Sequence, residues 1–252
     1  MKPIKIREGL LILLFWIALW GLISALADNF IVPSPLRTGQ VLIGLLMSGQ
    51  TYGIILSSLG RVLLSLLIGI VFGVVFGILA GLNEFVYKLF VPMVNFITAT
   101  PVVSFIIILF MYIKNDSLVP VICGILLCFP IIYNNVLHGY KMVRSELVNM
   151  SQVYRVPMHR KVLKLYVPST LPYVFAGILT SVGICWKATI AAELIGIIEN
   201  SIGLQLYNGK VFLEYDHVFA WTILIVLSSV MIQKCAHYFI QKINIYERFK
   251  VI

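Results

Sequence analysis

Long apolar runs alternate with shorter polar segments along the whole chain. Four runs contain no Asp, Glu, Lys or Arg, and they cover Gly9–Ala27, Val62–Asn83, Leu89–Ile113 and Ser117–Tyr140. Two later runs are equally long but contain isolated charges. Each run is close to or above the ~20 residues that a helix needs to cross a hydrocarbon core about 30 Å thick. The pattern predicts an all-α, polytopic membrane protein with six transmembrane helices, at about 9–27, 62–83, 89–113, 117–137, 173–198 and 217–240.

The composition indicates the same class of protein. Hydrophobic residues make up 60% of the chain and charged residues 12%, and the mean hydropathy is +1.00. A water-soluble domain carries about twice that charge, ~25%. We therefore interpret residues 1–252 as a single transmembrane domain. The four cysteines lie in apolar surroundings at spacings that match no metal or redox pattern, so no metal site is predicted.

The distribution of Lys and Arg predicts the orientation in the membrane. With the N-terminus inside, 13 of the 19 Lys and Arg residues fall in cytoplasmic segments, three in outer segments, and three in or beside helices. Cytoplasmic loops of membrane proteins carry this excess of positive charge, so both termini are predicted inside. Topology and anionic lipid then explain the net charge of +9 without a nucleic-acid partner. The first run is followed by no small-x-small cleavage site, which predicts an uncleaved anchor and not a signal peptide.

A row of small residues marks the second predicted helix. Ser or Gly recurs every four residues, at Ser65, Gly69, Gly73, Gly77 and Gly81. Small residues let helix backbones approach closely in lipid, so the row predicts a packing face, within the chain in preference to a subunit contact. One turn earlier lies Arg61. We expect its side chain to snorkel to the outer interface, with pairing to an acidic residue as the alternative.

Polar residues and prolines interrupt the third, fourth and fifth predicted helices. Proline in a membrane helix frees a backbone carbonyl, so the third and fourth helices are expected to be bent and to line a path. Lys187 and Glu193 are intramembrane charges six residues apart, on different helix faces, and are not expected to pair with each other. A position near the outer surface is the alternative for Glu193. The predicted path residues are Asn95, Thr98, Asn134, Thr180, Lys187 and Glu193.

The outer connection after the first helix carries a helix-start signal. Ser34 is a good N-cap residue, and Pro35 suits the first helical position. The apolar positions that follow predict a short helix on the bilayer surface. A plain connecting loop is the alternative.

The longest polar segment, residues 138–172, is the predicted cytoplasmic loop between the fourth and fifth helices. Apolar residues at helical spacing predict a helix over Arg144–Tyr154, which the residues before Pro157 interrupt. A second short helix is predicted over Met158–Tyr166, ending before Pro168. The resulting knob presents apolar side chains ringed by basic ones, which favours docking in the groove of a cytosolic partner. An amphipathic segment lying on anionic lipid is the alternative.

The sequence contains no motif for catalysis or energy coupling. It has no phosphate-binding loop, no His/Glu metal constellation and no nucleophile elbow. The closest approach to a phosphate loop begins at Gly203 and has the wrong spacing. The chain is therefore predicted not to be an enzyme, and its docking knob indicates that a partner supplies the energy.

Five motifs spread over nearly the whole chain carry a family resemblance. They are VPSP at Val32–Pro35, SSLGRVLLSLLIG at Ser57–Gly69, VPMVNFITATPVVSFIIILF at Val91–Phe110, WKATIAAELIG at Trp186–Gly196 and SIGL at Ser201–Leu204. With these motifs the chain resembles the integral-membrane permease subunits of bacterial binding-protein-dependent ABC importers. It is most similar to the nitrate/sulfonate/taurine branch.

The family's inner loop reads E-A-A-x-x-x-G, followed about nine residues later by an apolar residue and then x-L-P. Aligned on Val167 and Pro168, this chain keeps the spacing but replaces both the Glu and the Gly, by Asn149 and Arg155. A glycine there would suit a left-handed turn, so Arg155 must adopt that conformation at some cost or the turn must be built differently. The resemblance implies an ATPase-coupling loop that contains Asn149, Met150, Ser151, Val153, Tyr154, Arg155, Val156 and Pro157.

The resemblance also implies partners and a transport reaction. Two copies would enclose one path for a small solute, which in this branch includes anions such as nitrate, sulfonates and taurine as well as vitamin precursors and aromatic compounds. Cytosolic ATPase subunits would bind ATP and Mg²⁺, while this chain binds no cofactor. An outer substrate-binding protein would deliver the solute to the bacterial plasma membrane. A secondary transporter driven by an ion gradient, or a membrane-embedded enzyme or scaffold, is the alternative.

Overall fold

The computed structural model describes residues 6–27 and 31–242, and this part of the chain contains helices and no strand. A 3-10 turn precedes the sixth helix, and a π-helical turn, Val162–Tyr166, joins the eighth to the ninth. The helices are α1 Ile6–Leu26, α2 Pro35–Met47, α3 Gly49–Leu82, α4 Glu84–Ala99, α5 Val102–Tyr112, α6 Val119–Lys141, α7 Ser145–Val153, α8 Met158–Lys161, α9 Val167–Gly196, α10 Ile202–Val211 and α11 Tyr215–Lys242.

Five helical segments of the described chain are long and apolar enough to cross a membrane, and a sixth crossing is a bent pair. The straight segments are Arg7–Leu26, Gly49–Leu82, Asp116–Lys141, Met158–Gly196 and Tyr215–Lys242. The bent pair is α4 with α5. Each predicted span overlaps one of these six segments and ends at most two residues beyond it, which confirms the fold class. Residues 28–30, used in the anchor prediction, and Lys2, Lys5, Arg248 and Lys250, used in the charge count, lie outside the described residues.

A close helix contact joins α3 to α6. The row of small residues on α3 faces a row on α6 that also has a period of four. A Cβ built on Gly73 would lie 2.6 Å from the Cβ of Ile132, so only glycine allows this approach. Residue numbers rise together along both rows, so α3 and α6 run parallel. The facing pairs are Ser65 and Gly124, Gly69 and Cys128, Gly73 and Ile132, Gly77 and Val136, and Gly81 and Tyr140.

Replacing Gly73 with alanine is expected to destabilise the folded protein. The added methyl group would overlap Ile132, and overpacking of a tight contact costs ~1–3 kcal/mol. Gly60 on the same helix has open space around it, so Gly60→Ala is the matched control. The measurement is the thermal midpoint of the purified protein in detergent. Equal midpoints for the two variants would contradict the close contact.

The third transmembrane span was predicted as one bent helix; the bend is present, but it divides the span into two helices. The structure breaks it into α4 and α5, which are bent by 103°. The break lies at Thr100, whose extended backbone (ψ 131°) is the conformation that a following proline imposes, here Pro101. Pro92 lies inside α4 without ending it. Because α3 and α6 run parallel, the chain must cross back between them, so the bent pair serves as one crossing.

The start of the fifth span was predicted wrongly. The helix of the cytoplasmic loop does not end before Pro168 but continues into α9, so one helical segment runs from Met158 to Gly196. The π-helical turn accommodates the proline: the amide of Val167 donates to the carbonyl of Val162, five residues back, which widens the helix just before Pro168. The π turn is also stabilised by Tyr166, whose ring stacks on Tyr140 at 4.5 Å.

The α9 segment lies against α6 on the side that α3 leaves free. Gly139 of α6 contacts Tyr173, and Gly177 of α9 contacts Asn135, so the two helices run antiparallel. Trp186 is buried and donates its indole N–H to the carbonyl of Ile225 on α11, at 3.2 Å. The core of the protomer therefore lies between α3, α6, α9 and α11.

The outer ends of the bundle carry two short helices. As the outer start signal predicted, α2 begins after Ser34, whose hydroxyl accepts from the amide of Arg37 at 3.3 Å. The second short helix, α10, was not predicted from the sequence. It begins after Ser201, which caps the amide of Leu204 at 3.0 Å. Also unpredicted is the early start of α3 at Gly49, since the turns before Val62 are less apolar and extend past the hydrocarbon core.

Candidate translocation face and coupling loop

One side of α9 carries polar residues that the rest of the protomer does not cover. They recur at spacings of three or four residues, which places them in one stripe along the helix. Thr180 and Lys187 are exposed, together with Ile184 between them, whereas Cys185 and Trp186 on other sides of the helix are buried. The stripe consists of Ser169, Tyr173, Ala176, Thr180, Ile184 and Lys187.

The stripe on α9 adjoins exposed polar residues on α6. The rings of Tyr173 and His138 are in edge contact with their centres 5.3 Å apart. His138 and Asn134 are both exposed and lie one turn apart on α6. We call the combined surface the polar face, defined by Asn134, His138, Ser169, Tyr173, Thr180 and Lys187.

The polar face is poorly suited to contact with lipid. Lys187 lies well inside the crossing segment, and within the described chain its ammonium group makes no ion pair and no hydrogen bond. A lysine at the centre of a membrane helix costs ~2.5–3.5 kcal/mol on insertion scales, so such residues face water-filled cavities or other protein. The ammonium group of Lys187 offers a charge-assisted contact to an anion, and the hydroxyl and amide groups of the polar face lie further along the same side.

The remaining path candidates lie elsewhere. Asn95 and Thr98 are exposed on α4, just before the break at Thr100, and α4 packs on α3 and α6. The Thr98 hydroxyl donates to the carbonyl of Val94 at 3.0 Å. The structure thus places Asn134, Thr180 and Lys187 at different heights along one polar face, and it leaves the α4 pair on a separate helix.

Glu193 is fully buried and lies on a different side of α9 from Lys187. Its carboxylate accepts from the guanidinium of Arg61 at 2.8 Å and from the hydroxyl of Ser58 at 2.9 Å. The expected snorkelling of Arg61 is therefore wrong, and the alternative, pairing with an acidic residue, is what the structure has. Lipid exposure of an arginine is costly, and a buried carboxylate needs a partner, so each group satisfies the other.

The same groups hold the turn between α9 and α10. The amide of Ile202 donates to the Ser58 hydroxyl at 3.1 Å, and the amide of Gly203 donates to the Glu193 carboxylate at 3.4 Å. Arg61 also donates to the carbonyl of Glu199 at 3.4 Å. We call Ser58, Arg61, Glu193 and the amides of Ile202 and Gly203 the outer network. Its two halves, on α3 and at the α9–α10 turn, are more than 130 positions apart in sequence, and no local pattern signalled their contact.

The coupling loop forms a helix followed by a left-handed turn. The predicted helix is present as α7, and Arg155 has a φ of 48°. The amide of Val156 donates to the carbonyl of Ser151 at 3.0 Å, and that of Arg155 donates to Gln152 at 2.9 Å. This is the Schellman arrangement that normally uses glycine. Arginine thus occupies the left-handed position itself, at a cost of ~1–2 kcal/mol.

Arg155→Gly is expected to stabilise the coupling loop. Glycine adopts the left-handed conformation without the Cβ penalty, which outweighs its greater freedom in the unfolded chain. We expect the free energy of unfolding to rise by up to ~1 kcal/mol, measured as an increased thermal midpoint. Arg160→Gly, in the helical conformation of α8, is the control and should lower it. A lower thermal midpoint for Arg155→Gly would contradict the proposal that Arg155 is strained in the left-handed conformation.

The surface of the coupling loop that faces away from the helix bundle is apolar and uncovered. Val153 is 79% exposed, Tyr154 74% and Met150 56%. Asn149 and Pro157 are also exposed, whereas Ser151 and Val156 are half-buried. These side chains form a compact surface of the kind that docks into a partner's groove.

Comparison with known proteins identifies the family. The family model described as "Binding-protein-dependent transport system inner membrane component" matches residues 69–244. The chain belongs to this family. It is the permease component of an ABC importer and a multi-pass protein of the plasma membrane, as the sequence predicted. A permease of this family works with a separate ATPase and a substrate-binding protein.

Several relatives have names that state a substrate. The chain is 26% identical over 219 residues to a Bacillus subtilis protein named as the aliphatic sulfonates transport permease SsuC, covering 86% of this chain and 79% of the relative. It is 28% identical to the nitrate import permease NrtB of Synechococcus elongatus, covering 71% and 68%. The bicarbonate transport permease CmpB of the same species is 25% identical, covering 56% of this chain and 57% of the relative.

A solved structure shares the fold. A chain of the MetNI methionine ABC transporter in inward-facing conformations superposes with a TM-score of 0.66 at 15% identity. The match covers 78% of the permease described here and 99% of the MetNI chain. At this identity the likeness concerns the fold alone.

Proposed function

We propose that two copies of this permease enclose a path for a small oxyanion, with the polar face of each copy lining it. The exposed Lys187 within a crossing segment is the observation that supports this most directly. A second copy would cover the polar face from lipid and leave a water-accessible space between the two lysines. Asn95, Thr98 and Glu193 stay predictions as path residues, and the buried Glu193 is the weakest of them.

The proposed substrate class rests on the charge of the path and on the names of the relatives. Sulfonates, nitrate and bicarbonate, named for three relatives, all carry a negative charge on oxygen atoms. The ammonium group of Lys187, and the hydroxyl and amide groups further along the polar face, would offer such an anion successive polar contacts. Weak binding is suitable, since a transported solute must also leave.

The energy for transport would come from cytosolic ATPase subunits that carry ATP and Mg²⁺. The permease would catalyse no reaction itself, and its exposed coupling-loop surface would be the docking site. Both termini would be cytoplasmic, with the basic residues of α8 close to anionic lipid. ATP-driven closure of the ATPase would move α7 and rock the helices between two states.

Replacing Lys187 tests the anion path. We expect Lys187→Gln to reduce ATP-driven uptake of the anion about tenfold at low concentration, with a higher KM, because a charge-assisted contact is lost. Lys114→Gln, which removes an exposed cation off the polar face, is the control. The measurement is uptake into proteoliposomes that contain the complete importer. Unchanged uptake by Lys187→Gln would contradict a role in the path.

Cross-linking tests the arrangement of the two copies. In a Cys235→Ser background, which removes the exposed cysteine, Thr180→Cys should form covalent dimers with bifunctional thiol reagents. Val226→Cys, exposed at 56% on α11, is the control and should not. Cross-linking through Val226→Cys and not through Thr180→Cys would place another face at the interface.

A further inference from the structure

A cleft lies beside the coupling loop at the cytoplasmic end of α9. Arg144 and Leu147 line it from the beginning of α7, and Lys164 lines it from the π-helical turn. Ser169, Pro172 and Tyr173 of α9 form the opposite wall. We call this the basic cleft. It is bounded by α7, which the ATPase is proposed to move, and by α9, which carries part of the proposed path.

The charge of the basic cleft is positive and uncompensated. Arg144 and Lys164 are both exposed, and neither forms an ion pair within residues 6–27 and 31–242. The lining residues include no Asp or Glu. Two cations on a recess with largely apolar walls and two hydroxyl groups are suited to a small anion, because the walls lower the local dielectric and strengthen charge-assisted contacts.

The basic cleft is continuous with the polar face. Ser169 and Tyr173 belong to both surfaces. Lys187 lies 18 residues beyond Ser169 on the same helix, a distance of ~27 Å at 1.5 Å per residue. A solute that moves along this side of α9 toward the cytosol therefore reaches Arg144 and Lys164 last.

We propose that the basic cleft binds the transported oxyanion on the cytosolic side and that its occupancy slows turnover. The inference rests on the proposed function, since it takes the polar face as the path. An anion held between Arg144 and Lys164 would tie the beginning of α7 to the helix that carries α9. Because α7 is the element that the ATPase is proposed to move, this tie would oppose the movement. The importer would thus respond to accumulation of its own product.

The experiment uses the complete importer in proteoliposomes with the ATPase facing the medium. Substrate-binding protein and labelled methanesulfonate or nitrate are enclosed in the lumen, and ATP is added outside. Unlabelled methanesulfonate or nitrate is then added to the medium, with acetate and chloride at matched ionic strength as reference salts. The measured quantities are the rate of ATP hydrolysis and the release of label.

We expect cytosolic oxyanion to inhibit the unmodified importer more than the reference salts do. In Arg144→Gln/Lys164→Gln the half-inhibitory concentration should rise about tenfold, because both charge-assisted contacts are lost. Lys88→Gln/Arg160→Gln removes two exposed cations outside the cleft and should leave inhibition unchanged. If the double variant does not assemble with the ATPase, Lys164→Gln alone replaces it, and its half-inhibitory concentration should rise by a smaller factor.

Three results would overturn the basic cleft as a product site. The first is equal inhibition by all of the salts, and the second is unchanged inhibition in the cleft variants. The third is inhibition that depends on anionic lipid and not on the added anion, which would make a lipid phosphate the occupant. Failure of the proposed function is a separate result: without ATP-driven release at zero added anion, the importer itself does not transport the oxyanion.

Discussion

Glu193→Gln will destabilise the permease more than any other single change that conserves side-chain volume. The substitution removes the negative charge that faces Arg61 at 2.8 Å in a site where the Glu193 side chain is fully buried. Leaving one member of a buried ion pair without its partner costs ~3–5 kcal/mol. We therefore expect a large fall in the thermal midpoint and a reduced yield of folded protein in detergent. The turn between α9 and α10 should become more accessible to protease, since Glu193 also accepts from Gly203.

A double-mutant cycle separates the loss of the pair from the stranding of one charge. Arg61→Gln/Glu193→Gln leaves no buried charge and should recover most of the stability that either single change removes. Glu84→Gln is the matched control, because Glu84 pairs with Lys88 at the same 2.8 Å but on the exposed surface, where a pair contributes at most ~1 kcal/mol. An equal fall in thermal midpoint for Glu84→Gln and Glu193→Gln would show that burial of the outer network does not increase its contribution to stability.

Tyr154→Asp will abolish transport while leaving the permease folded. Tyr154 is 74% exposed, so the change disturbs little inside the protomer. A large aromatic residue at the centre of a docking surface can contribute 2–4 kcal/mol or roughly 30- to 1,000-fold in affinity, and a carboxylate there adds a desolvation cost. Two measurements check this: co-purification of the ATPase subunit with tagged permease, and ATP-driven uptake. Both should be lost together.

A matched change on the opposite side of the membrane controls for the effect of an added charge. Phe212 is 68% exposed at the end of α10, and Phe212→Asp should leave ATPase co-purification intact. Val153→Asp, 79% exposed beside Tyr154, should reproduce the loss. Uptake that survives in both coupling-loop variants would remove α7 as the docking element.

The family and the number of spans could be predicted from the sequence because the signals are local. Each apolar residue contributes to membrane insertion nearly independently of the others, so a run of about 20 is sufficient evidence for a crossing. The period of four in the row of small residues on α3 predicted a packing face, and in the structure this face lies against α6. The family resemblance gave Arg155 either a left-handed conformation or a differently built turn, and the structure has the left-handed conformation.

Two prolines show where local rules stop, because the sequence predicts the reverse of what the structure has: a bent helix that continues through Pro101, and a helix that ends before Pro168. Pro101 ends a helix, whereas Pro168 is carried within one. Both lack an amide hydrogen, so the intrinsic cost is the same. The difference lies in the surroundings: the turn before Pro168 widens, and Tyr166 within it stacks on Tyr140 of α6. Such compensation depends on a neighbouring helix, so it cannot be predicted from the local sequence.

The candidate site divides in the same way. Lys187 was identifiable from the sequence as an unusual charge in a membrane helix, and the structure leaves it exposed. Glu193 gave the same signal but lies in the outer network, bonded to Arg61 and Ser58. The distinction between a charge that faces a path and one that stabilises the fold depends on which side of the helix is covered.

The sequence by itself determined which segments lie in the membrane, which residues let α3 approach a neighbour, and where the coupling loop turns. These follow from transfer energies and periodicities that act within one helix. Only the tertiary structure decided that Arg61 meets Glu193, that Thr180 and Lys187 share a face with Asn134, and that Arg144 and Lys164 border one cleft. Those contacts require the depth and rotation of separate helices to match, and packing of the whole bundle sets both.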